Sequence, residues 1–507
     1  MSWSADQEQL EIGIVGAGTM GAGVAQIAAA AGMTVHLYDV REGAAQKAVD
    51  QVRGRLDRLV EKKRMEETDA RAAGERLHVA EGLDAMGSAH LVLEAIVEKV
   101  EAKQSLFQEL EQIVPEHCIL ATNTSSLSVT GIASVVADPG RVAGFHFFNP
   151  VPLMKVVEVI DGVLTRAETG DKLMALARRM GHTPVRATDT PGFLVNHAGR
   201  GLGTEGLRVL SEGVAGIADI DRIMREGAGF RMGPFELFDL TGLDVSHPVM
   251  ESIYHQFYQD PRYRPSPETA RRLTAGLLGR KTGHGFYVYE DNKAQVTPEP
   301  GAPDTRPARV WVSPHETPLA LSVADLLNQM NCTLDEGEVA ADDALCILTP
   351  VGEDVTSAAV AQNLDPRRCV GLDALFGLQS RRTLMTTPVT HPEFVRQAHG
   401  LLASDGVPVT VVRDSVGFVA QRVVACIINI ACEIAQQRIA TPEDIDRAVT
   451  LGLGYPEGPL AMGDRLGPAL VLRILNGLQT FYGDPRYRPS AWLTRRAKLE
   501  VSLLTDD

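Results

Sequence analysis

The sequence is poor in aromatic residues, at 5 %, and its six cysteines (Cys118, Cys332, Cys346, Cys369, Cys426 and Cys432) are scattered, with no CxxC pair and no Cys/His cluster at metal-ligand spacing. This excludes a disulfide framework and a zinc site, and it fits reduced thiols inside a cell. Basic residues are also scarce: 49 Lys+Arg against 65 Asp+Glu leave a formal charge of −16. Neutralising nucleic-acid phosphate or an anionic membrane needs the opposite excess, so neither is expected as the main partner. No apolar run approaches the ~20 residues that span a bilayer. The N-terminal MSWSADQEQLEIGIV has no cationic region followed by an apolar core. The expectation is a soluble, cytoplasmic protein. What the chain does have is length: 507 residues, 44 % of them apolar, suffice for three or four domains.

Short apolar runs alternate with helical patterns over the first 160 residues, the pattern of an α/β domain with a parallel sheet. IGIVGAG reads as strand and turn, the Ala-rich stretch closing at Gly32 as a helix, and TVHLYDV as a second strand. Further strands are expected at HLVLEAI, CILATN, RVAGFHFF and MKVVEVI, with a charged amphipathic helix over about Arg41 to Lys63. The pattern turns mostly helical after Thr190-Pro191-Gly192. Residues 291–308 contain four prolines and almost no large apolar residue, and read as a linker.

The chain also repeats itself. DTPGFLVN and the following GAGFRMGPFELFDLTG are echoed by DSVGFVAQ and GLGYPEGPLAMGDRLG, so that Gly192/Gly417, Asp221/Asp446, Gly229/Gly454, Gly233/Gly458 and Asp239/Asp464 each differ by 225 positions. The heptapeptide DPRYRPS begins at both Asp260 and Asp484. Residues 307–507 therefore read as a shortened second copy of residues 10–290. The expected domains are 1–189, α/β; 190–290, helical; the linker 291–308; 309–413, a degenerate α/β domain; and 414–507, a second helical domain.

Gly16-Ala17-Gly18-Thr19-Met20-Gly21 follows a strand and opens a helix. Gly16 permits the turn, Gly18 lets backbone approach a pyrophosphate, and Gly21 lets helix and strand close up. Asp39, 23 residues after Gly16, is placed to accept both hydroxyls of an adenosine ribose and would repel a 2′-phosphate, which favours NAD. His146 ends an apolar run, and Glu158 follows twelve residues later. A His held by a carboxylate can take the hydroxyl proton while a secondary alcohol gives up its hydride. Spacing alone leaves open a core histidine and a solvated glutamate. The second copy acts as a control: pairing Gly144 with Gly371 matches His146 to Asp373, Glu158 to Met385 and Asn196 to Gln421, and sets SPHETP (Ser313, His315, Pro318) opposite the glycine turn. Turn glycines survive in both copies, but the chemistry survives in one.

With those residues in hand, the chain resembles the L-3-hydroxyacyl-CoA dehydrogenases. The strings GAGTMGAG, EAIVE, NTSSL, HFFNPVPLMKVVEVI, DTPGFLVN, GAGFRMGPFELFDLTGLD, PSP and KTGHGFY match in order over residues 11–289. The resemblance implies an α/β fold, a Rossmann-type NAD-binding domain followed by an all-helical domain, with the pair duplicated in reduced form. It implies NAD-dependent oxidation of (S)-3-hydroxyacyl-CoA, with His146 as general base, Glu158 as its partner, and Ser125 and Asn196 as polar contacts at the reacting carbon. Glu98, Lys103, Ser125, Asn149 and Lys281 match positions that contact the dinucleotide. Their bland readings are a solvated helix face for Glu98 and Lys103, a helix cap for Ser125 and a loop charge for Lys281. Arg55 and Lys62, in RGRLDRLVEKKR, are candidates for the CoA phosphates, or are ordinary helix-surface charges. The hydratase module of the fused multifunctional enzymes is not expected. No metal is expected.

Gly199, Gly201, Gly203 and Gly206 stand where the helix after Asn196 belongs, although each interior Gly costs roughly 0.5–1 kcal/mol relative to Ala. Either that helix is shortened, or it is pressed against a neighbour. Arg200 and Arg208 lie on the same stretch, and either one facing the acyl pocket would pair with a terminal carboxylate. Candidate substrates are thus 3-hydroxybutyryl-CoA of β-oxidation and 3-hydroxyadipyl-CoA of phenylacetate breakdown. In single-copy relatives the helical domain dimerises; here the two helical domains are expected to form an intrachain pseudo-dimer, with a homo-oligomer as the further option. The alternatives are another β-hydroxyacid dehydrogenase, which would use a Lys, and a non-catalytic NAD-binding protein.

Overall fold

A computed structural model describes residues 3–506. The chain forms two compact units, one from the chain up to His197 together with Gln437–Leu453, the other from Ala198–Gln436 together with Gly454–Thr505.

The first unit is built on eight strands: β1 (Glu11–Val15), β2 (Thr34–Tyr38), β3 (Leu77–Val79), β4 (Leu91–Glu94), β5 (Ile119–Thr122), β6 (Val142–Phe147), β7 (Val156–Asp161) and β8 (Thr183–Thr188). They lie in the order β3-β2-β1-β4-β5-β6-β7-β8, parallel throughout except at β6–β7. The central strands are buried on both faces, as crossover helices require. One core takes alternate strand residues such as Leu91 and Leu93 with α1 (Thr19–Ala30), α2 (Ala44–Glu61), α3 (Glu67–Glu75) and α6 (Ala167–Arg179). The other takes Val92 and Leu120 with α4 (Val100–Ile113) and α5 (Val129–Ala133). α1 is Ala-rich because it packs close to the sheet, and it stops just before Gly32, whose φ is +88°. The short α7 (Val195–Ala198) ends the first stretch. The helix Pro442–Leu453, from the second copy, packs on β8: Ile439 O accepts from Thr188 N–H at 2.9 Å and Asp444 from Arg186 N–H at 3.1 Å.

In the second unit a smaller sheet runs β11 (Val310–Val312), β12 (Leu345–Leu348), β13 (Cys369–Leu372), β14 (Arg382–Thr386) and β15 (Val409–Arg413), with β9 (Val288–Glu290) and β10 (Lys293–Gln295) forming a separate hairpin. The smaller sheet keeps the one antiparallel step, β13–β14, before its last strand. It carries α13 (Thr317–Gln329), α14 (Val355–Ala361) and α15 (Pro392–Leu402). The first helical set is α8 (Arg200–Ser211), α9 (Ile217–Arg222), α10 (Pro234–Thr241), α11 (Leu243–Gln256) and α12 (Pro267–Thr274). The second is α16 (Ala420–Gln436), α18 (Pro459–Leu466), α19 (Pro468–Tyr482) and α20 (Ala491–Leu499), α17 being the Pro442–Leu453 helix above. Here Val214 O accepts from Arg413 N–H at 2.9 Å. Arg413 and Val214 are the 225-residue equivalents of Thr188 and Ile439, so each copy's last strand is capped by the other copy's helical segment.

The glycine-rich helix is not shortened within its own run. α8 passes through Gly201, Gly203 and Gly206 because a Cβ there would lie 2.8 Å from Ile427 Cα, 2.8 Å from Phe238 and 2.7 Å from Pro234. The two DPRYRPS heptapeptides also meet: Arg262 donates to Arg488 O at 2.9 Å and Arg486 to Pro261 O at 3.1 Å. The proline-rich stretch 291–308 is not linker from its start, since β10 pairs with β9 over Lys293–Gln295, and the rest of it is fastened down. Glu299 pairs with Arg222 and Arg381, and Gly400 leaves room for the Thr305 carbonyl, which a Cβ would meet at 2.3 Å.

Candidate active site and its dinucleotide turn

His146 and Glu158 are direct cross-strand partners on the antiparallel β6–β7 pair, which points both side chains to one face. His146 Nδ1 lies 2.5 Å from Glu158 Oε2, and the two residues are 5 % and 0 % exposed. The other carboxylate oxygen, Oε1, accepts the backbone N–H groups of Leu194 at 2.9 Å and Val195 at 2.7 Å, at the start of α7. Glu158 is thus held by donors on two sides, and His146 Nε2 is the ring nitrogen left to face a substrate. Phe148 and Phe193 flank the imidazole with centroids at 4.5 and 5.9 Å. Asn196 follows Val195 on α7. The N–H donors to Glu158 have no signature in the sequence.

A second polar cluster surrounds Glu98. Its Oε1 accepts from Thr124 Oγ1 at 2.6 Å, from the N–H groups of Ser125 and Ser126 at 2.9 and 3.2 Å, and from Ser126 Oγ at 3.1 Å. Burial pushes the Glu98 carboxyl up, but Lys103 and these donors outweigh it and hold it below the ordinary range. Lys103 is 1 % exposed, between Glu94 Oε1 at 2.5 Å and Glu98 Oε2 at 3.2 Å. The solvated-face reading fails for Lys103, a buried cation bridging two carboxylates; Glu98 is 38 % exposed but precedes α4 instead of lying on its face. Glu94 was the legible warning, an acid inside a wholly buried apolar strand that must find a cation. Ser125 is not a helix cap either; Ser128 caps α5 by accepting from Gly131 N–H.

The glycine turn fits a dinucleotide. Gly16 has φ +110° and a Cβ there would lie 2.4 Å from Ala95 O; a Cβ on Gly21 would lie 1.8 Å from Gly16 O; at Gly18 nothing lies within 4 Å. Gly18 and Thr19 open onto a cavity of about 510 Å³, also lined by Arg41, Lys47 and Arg55, and no side chain caps α1. The exposed amino end of α1 therefore faces space that a pyrophosphate can enter. Met20 is partly buried against the core behind the turn. Asp39 Oδ2 accepts from Ala17 N–H at 2.8 Å, which joins the carboxylate after β2 to the turn.

The remaining candidates are more dispersed. Asn149, exposed after β6, precedes a cis Asn149–Pro150 bond. Lys281 is paired with Asp244 rather than being an unattached loop charge. Arg55 lines the cavity; Lys62, at the end of α2, does not. Arg208 is bound to Glu212 and Asp484 at 2.9 and 3.2 Å. No cluster that could hold a metal ion and no helix long and apolar enough to cross a membrane occurs among the described residues.

The second copy's equivalent of the dyad is a different hydrogen-bond network. Gly371 faces Met385 as Gly144 faces Ile160, and Asp373 N–H bonds to Thr383 O. The equivalent of Glu158 is therefore Thr383, which corrects the match to Met385. The connection between the two strands is two residues shorter, and counting from Gly371 misses this. Gln421 donates to Asp373 at 3.0 Å and to Pro350 O at 3.2 Å, and accepts from Gly352 N–H at 3.0 Å. Burial raises the Asp373 carboxyl to about 6, against the opposing Gln421 hydrogen bond.

The family model for the 3-hydroxyacyl-CoA dehydrogenase NAD-binding domain matches residues 11–190, and the model for the C-terminal domain matches twice, over 192–289 and 417–501. A 3-hydroxyadipyl-CoA dehydrogenase of Escherichia coli is 38 % identical over 96 % of this chain and 98 % of its own. A probable 3-hydroxybutyryl-CoA dehydrogenase of Bacillus subtilis is 43 % identical, covering 55 % of this chain and 98 % of its own. The crystal structure of an Escherichia coli 3-hydroxybutyryl-CoA dehydrogenase superposes with a TM-score of 0.85 at 35 % identity, over 97 % of this chain and 98 % of that one. With a dinucleotide turn, a His–Glu pair and a second C-terminal domain, the chain belongs to the 3-hydroxyacyl-CoA dehydrogenase family and is an NAD-dependent oxidoreductase.

Proposed function

We propose that the chain oxidises (S)-3-hydroxyacyl-CoA to 3-ketoacyl-CoA with His146 as general base. The observation that carries this reading is the buried His146–Glu158 contact, with Glu158 held from behind by Leu194 and Val195 N–H. NAD supplies the hydride acceptor. His146 takes the hydroxyl proton on Nε2, and Glu158 stabilises the imidazolium that forms. Ser125 and Asn196 hold the substrate oxygen. The buried Lys103 fixes Glu98 beside Ser125, and is a positioning residue rather than a direct contact. Gly16, Gly18, Thr19, Met20, Gly21 and Asp39 bind the adenosine half of the dinucleotide; Asn149 and Lys281 serve its other half. Arg55 on α2 and Lys62 at its C-terminal cap serve the CoA phosphates.

For the acyl chain we favour a dicarboxylyl thioester, because a relative aligned along nearly the whole chain is named for 3-hydroxyadipyl-CoA. Arg208, one of the two arginines on the stretch after Asn196, is already committed to Glu212 and Asp484. Comparable kcat/KM for 3-hydroxybutyryl-CoA and 3-hydroxyadipyl-CoA would exclude this preference. The two helical domains form an intrachain pseudo-dimer, and free thiols at all six cysteines suit the cytoplasm. The central test is oxidation of NADH by acetoacetyl-CoA, followed at about 340 nm. His146→Gln, whose carboxamide cannot act as a base, is expected to lose about 10²–10⁴-fold in kcat while binding NADH normally. Near-normal turnover by that variant would refute the assignment.

A further inference from the structure

Asp39 has its acceptor sites filled. Oδ1 accepts Arg41 N–H at 3.0 Å and Arg41 Nε at 2.9 Å; Oδ2 accepts Ala17 N–H at 2.8 Å and Arg41 Nη2 at 3.0 Å. An ionised carboxylate offers about four lone-pair sites. Two ribose hydroxyls and the guanidinium fork of Arg41 therefore compete for the same two oxygens. The Arg41 side chain is 70 % exposed, against 7 % for Asp39, so the fork can leave without disturbing any core. Its nearest alternative is the adjoining cavity, which Arg41 itself lines beside Lys47 and Arg55, three cations against the single carboxylate of Glu42.

We propose that Arg41 is a displaceable latch on Asp39 that sets dinucleotide selectivity: it weakens NADH binding by occupying the ribose carboxylate, and once displaced it pairs with a 2′-phosphate, so that NADPH is also bound. This rests on the reading that Asp39 holds the adenosine ribose. An unlatched Asp39 would repel a 2′-phosphate; a guanidinium that leaves it toward the phosphate offsets that charge, with Lys47 and Arg55 beside it. The side-chain bond from Arg41 is also the main reason the Asp39 carboxyl is held down at about 2, so Asp39 stays ionised and able to hold the guanidinium across the working pH range.

The test is direct binding, with no CoA ester present, of NADH and NADPH to wild type, Arg41→Ala and Asp39→Ala, read by nicotinamide fluorescence and calorimetry. Arg41→Ala is expected to bind NADH about 3- to 5-fold more tightly, the scale of an exposed ion pair. The same variant is expected to bind NADPH about tenfold more weakly, because the guanidinium no longer donates to the 2′-phosphate. A loss of folding moves both constants the same way, whereas the latch moves them in opposite directions. Arg41→Ala with NADH binding unchanged or weaker, or with an unchanged NADPH-to-NADH ratio, overturns the latch. Asp39→Ala distinguishes the two ideas: NADH binding that is unchanged there overturns the ribose assignment and the latch together. Weakened NADH binding in Asp39→Ala, with no tightening in Arg41→Ala, overturns the latch alone.

Discussion

Replacing Glu158 by Gln separates the orientation of His146 from its presence. The carboxamide oxygen can still accept the N–H groups of Leu194 and Val195, which leaves its NH₂ facing His146 Nδ1. That donor turns Nδ1 into an acceptor, so the proton moves to Nε2 and the nitrogen that should act as base is blocked. By analogy with the Asp-to-Asn change in serine proteases, kcat is expected to drop about 10³–10⁴-fold with the fold intact. Steady-state kinetics together with the circular dichroism melt would check it, and a kcat within tenfold of wild type would contradict the tautomer argument. At this scale the sequence was informative wherever a residue type is rare in its setting, as with a His and a Glu inside apolar runs. The glycine turn was legible because each glycine answers a steric demand. The donors on Glu158 and the Arg41 fork were not, because a backbone N–H has no letter and an exposed arginine near an aspartate looks ordinary.

Among the elements, the smaller sheet has Asp373 and Thr383 where the larger has the His–Glu pair. Asp373 stands where His146 does, and its carboxyl keeps its proton to about pH 6, whereas in an unfolded chain it ionises near 3.8. Between those values the native state binds more protons than the unfolded one. Stability therefore falls as pH rises through that window, by up to about 1.4 kcal/mol per unit, and stays low above it. Asp373→Asn keeps an acceptor for Gln421 and removes the titration. Its melting temperature is expected to match wild type near pH 4 and to exceed it by several degrees at pH 7.5, measured in parallel scans. An equal gap at both pH values would place the effect elsewhere. The helix α8 is tested the same way: Gly201→Ala should raise helix propensity, yet its Cβ would strike the backbone of Ile427, and overpacking of this kind costs about 1–3 kcal/mol. A stabilised Gly201→Ala would mean that the two helices have room to move apart. Here the sequence posed the question through four unwanted glycines. Only packing could answer it, because a helix that is shortened and one that is pressed close share the same composition.

Across the whole molecule the duplication was legible from its 225-residue spacing, but the exchange it permits was not. Thr188 bonds to Ile439 and Arg413 to Val214, so each copy's last strand is closed by the other's helical segment. The second copy thus buttresses the His146–Glu158 pair: Gly452 of α17 lies where a Cβ would come within 2.9 Å of Val195, whose N–H holds Glu158. Gly452→Val is accordingly expected to lower kcat by about tenfold or more, as small displacements near a reacting group do, with NADH affinity unchanged. The same exchange governs assembly. Glu205 on α8 is buried against Arg422 at 2.6 Å and Arg486 at 3.3 Å, and the paired heptapeptides complete that contact within one chain. A chain cut after residue 290 loses the strand cap on β8 and exposes the glycine face of α8 together with an unpaired Glu205. Such a fragment is expected to pair with itself or to aggregate, since uncapped sheet edges and unpaired buried charges are both costly. The full chain, with those surfaces already covered, should run as a 54.7 kDa monomer in size-exclusion chromatography with light scattering. A monomeric, fully active fragment would show that the second copy is dispensable, and a stable dimer of full chains that another association surface exists.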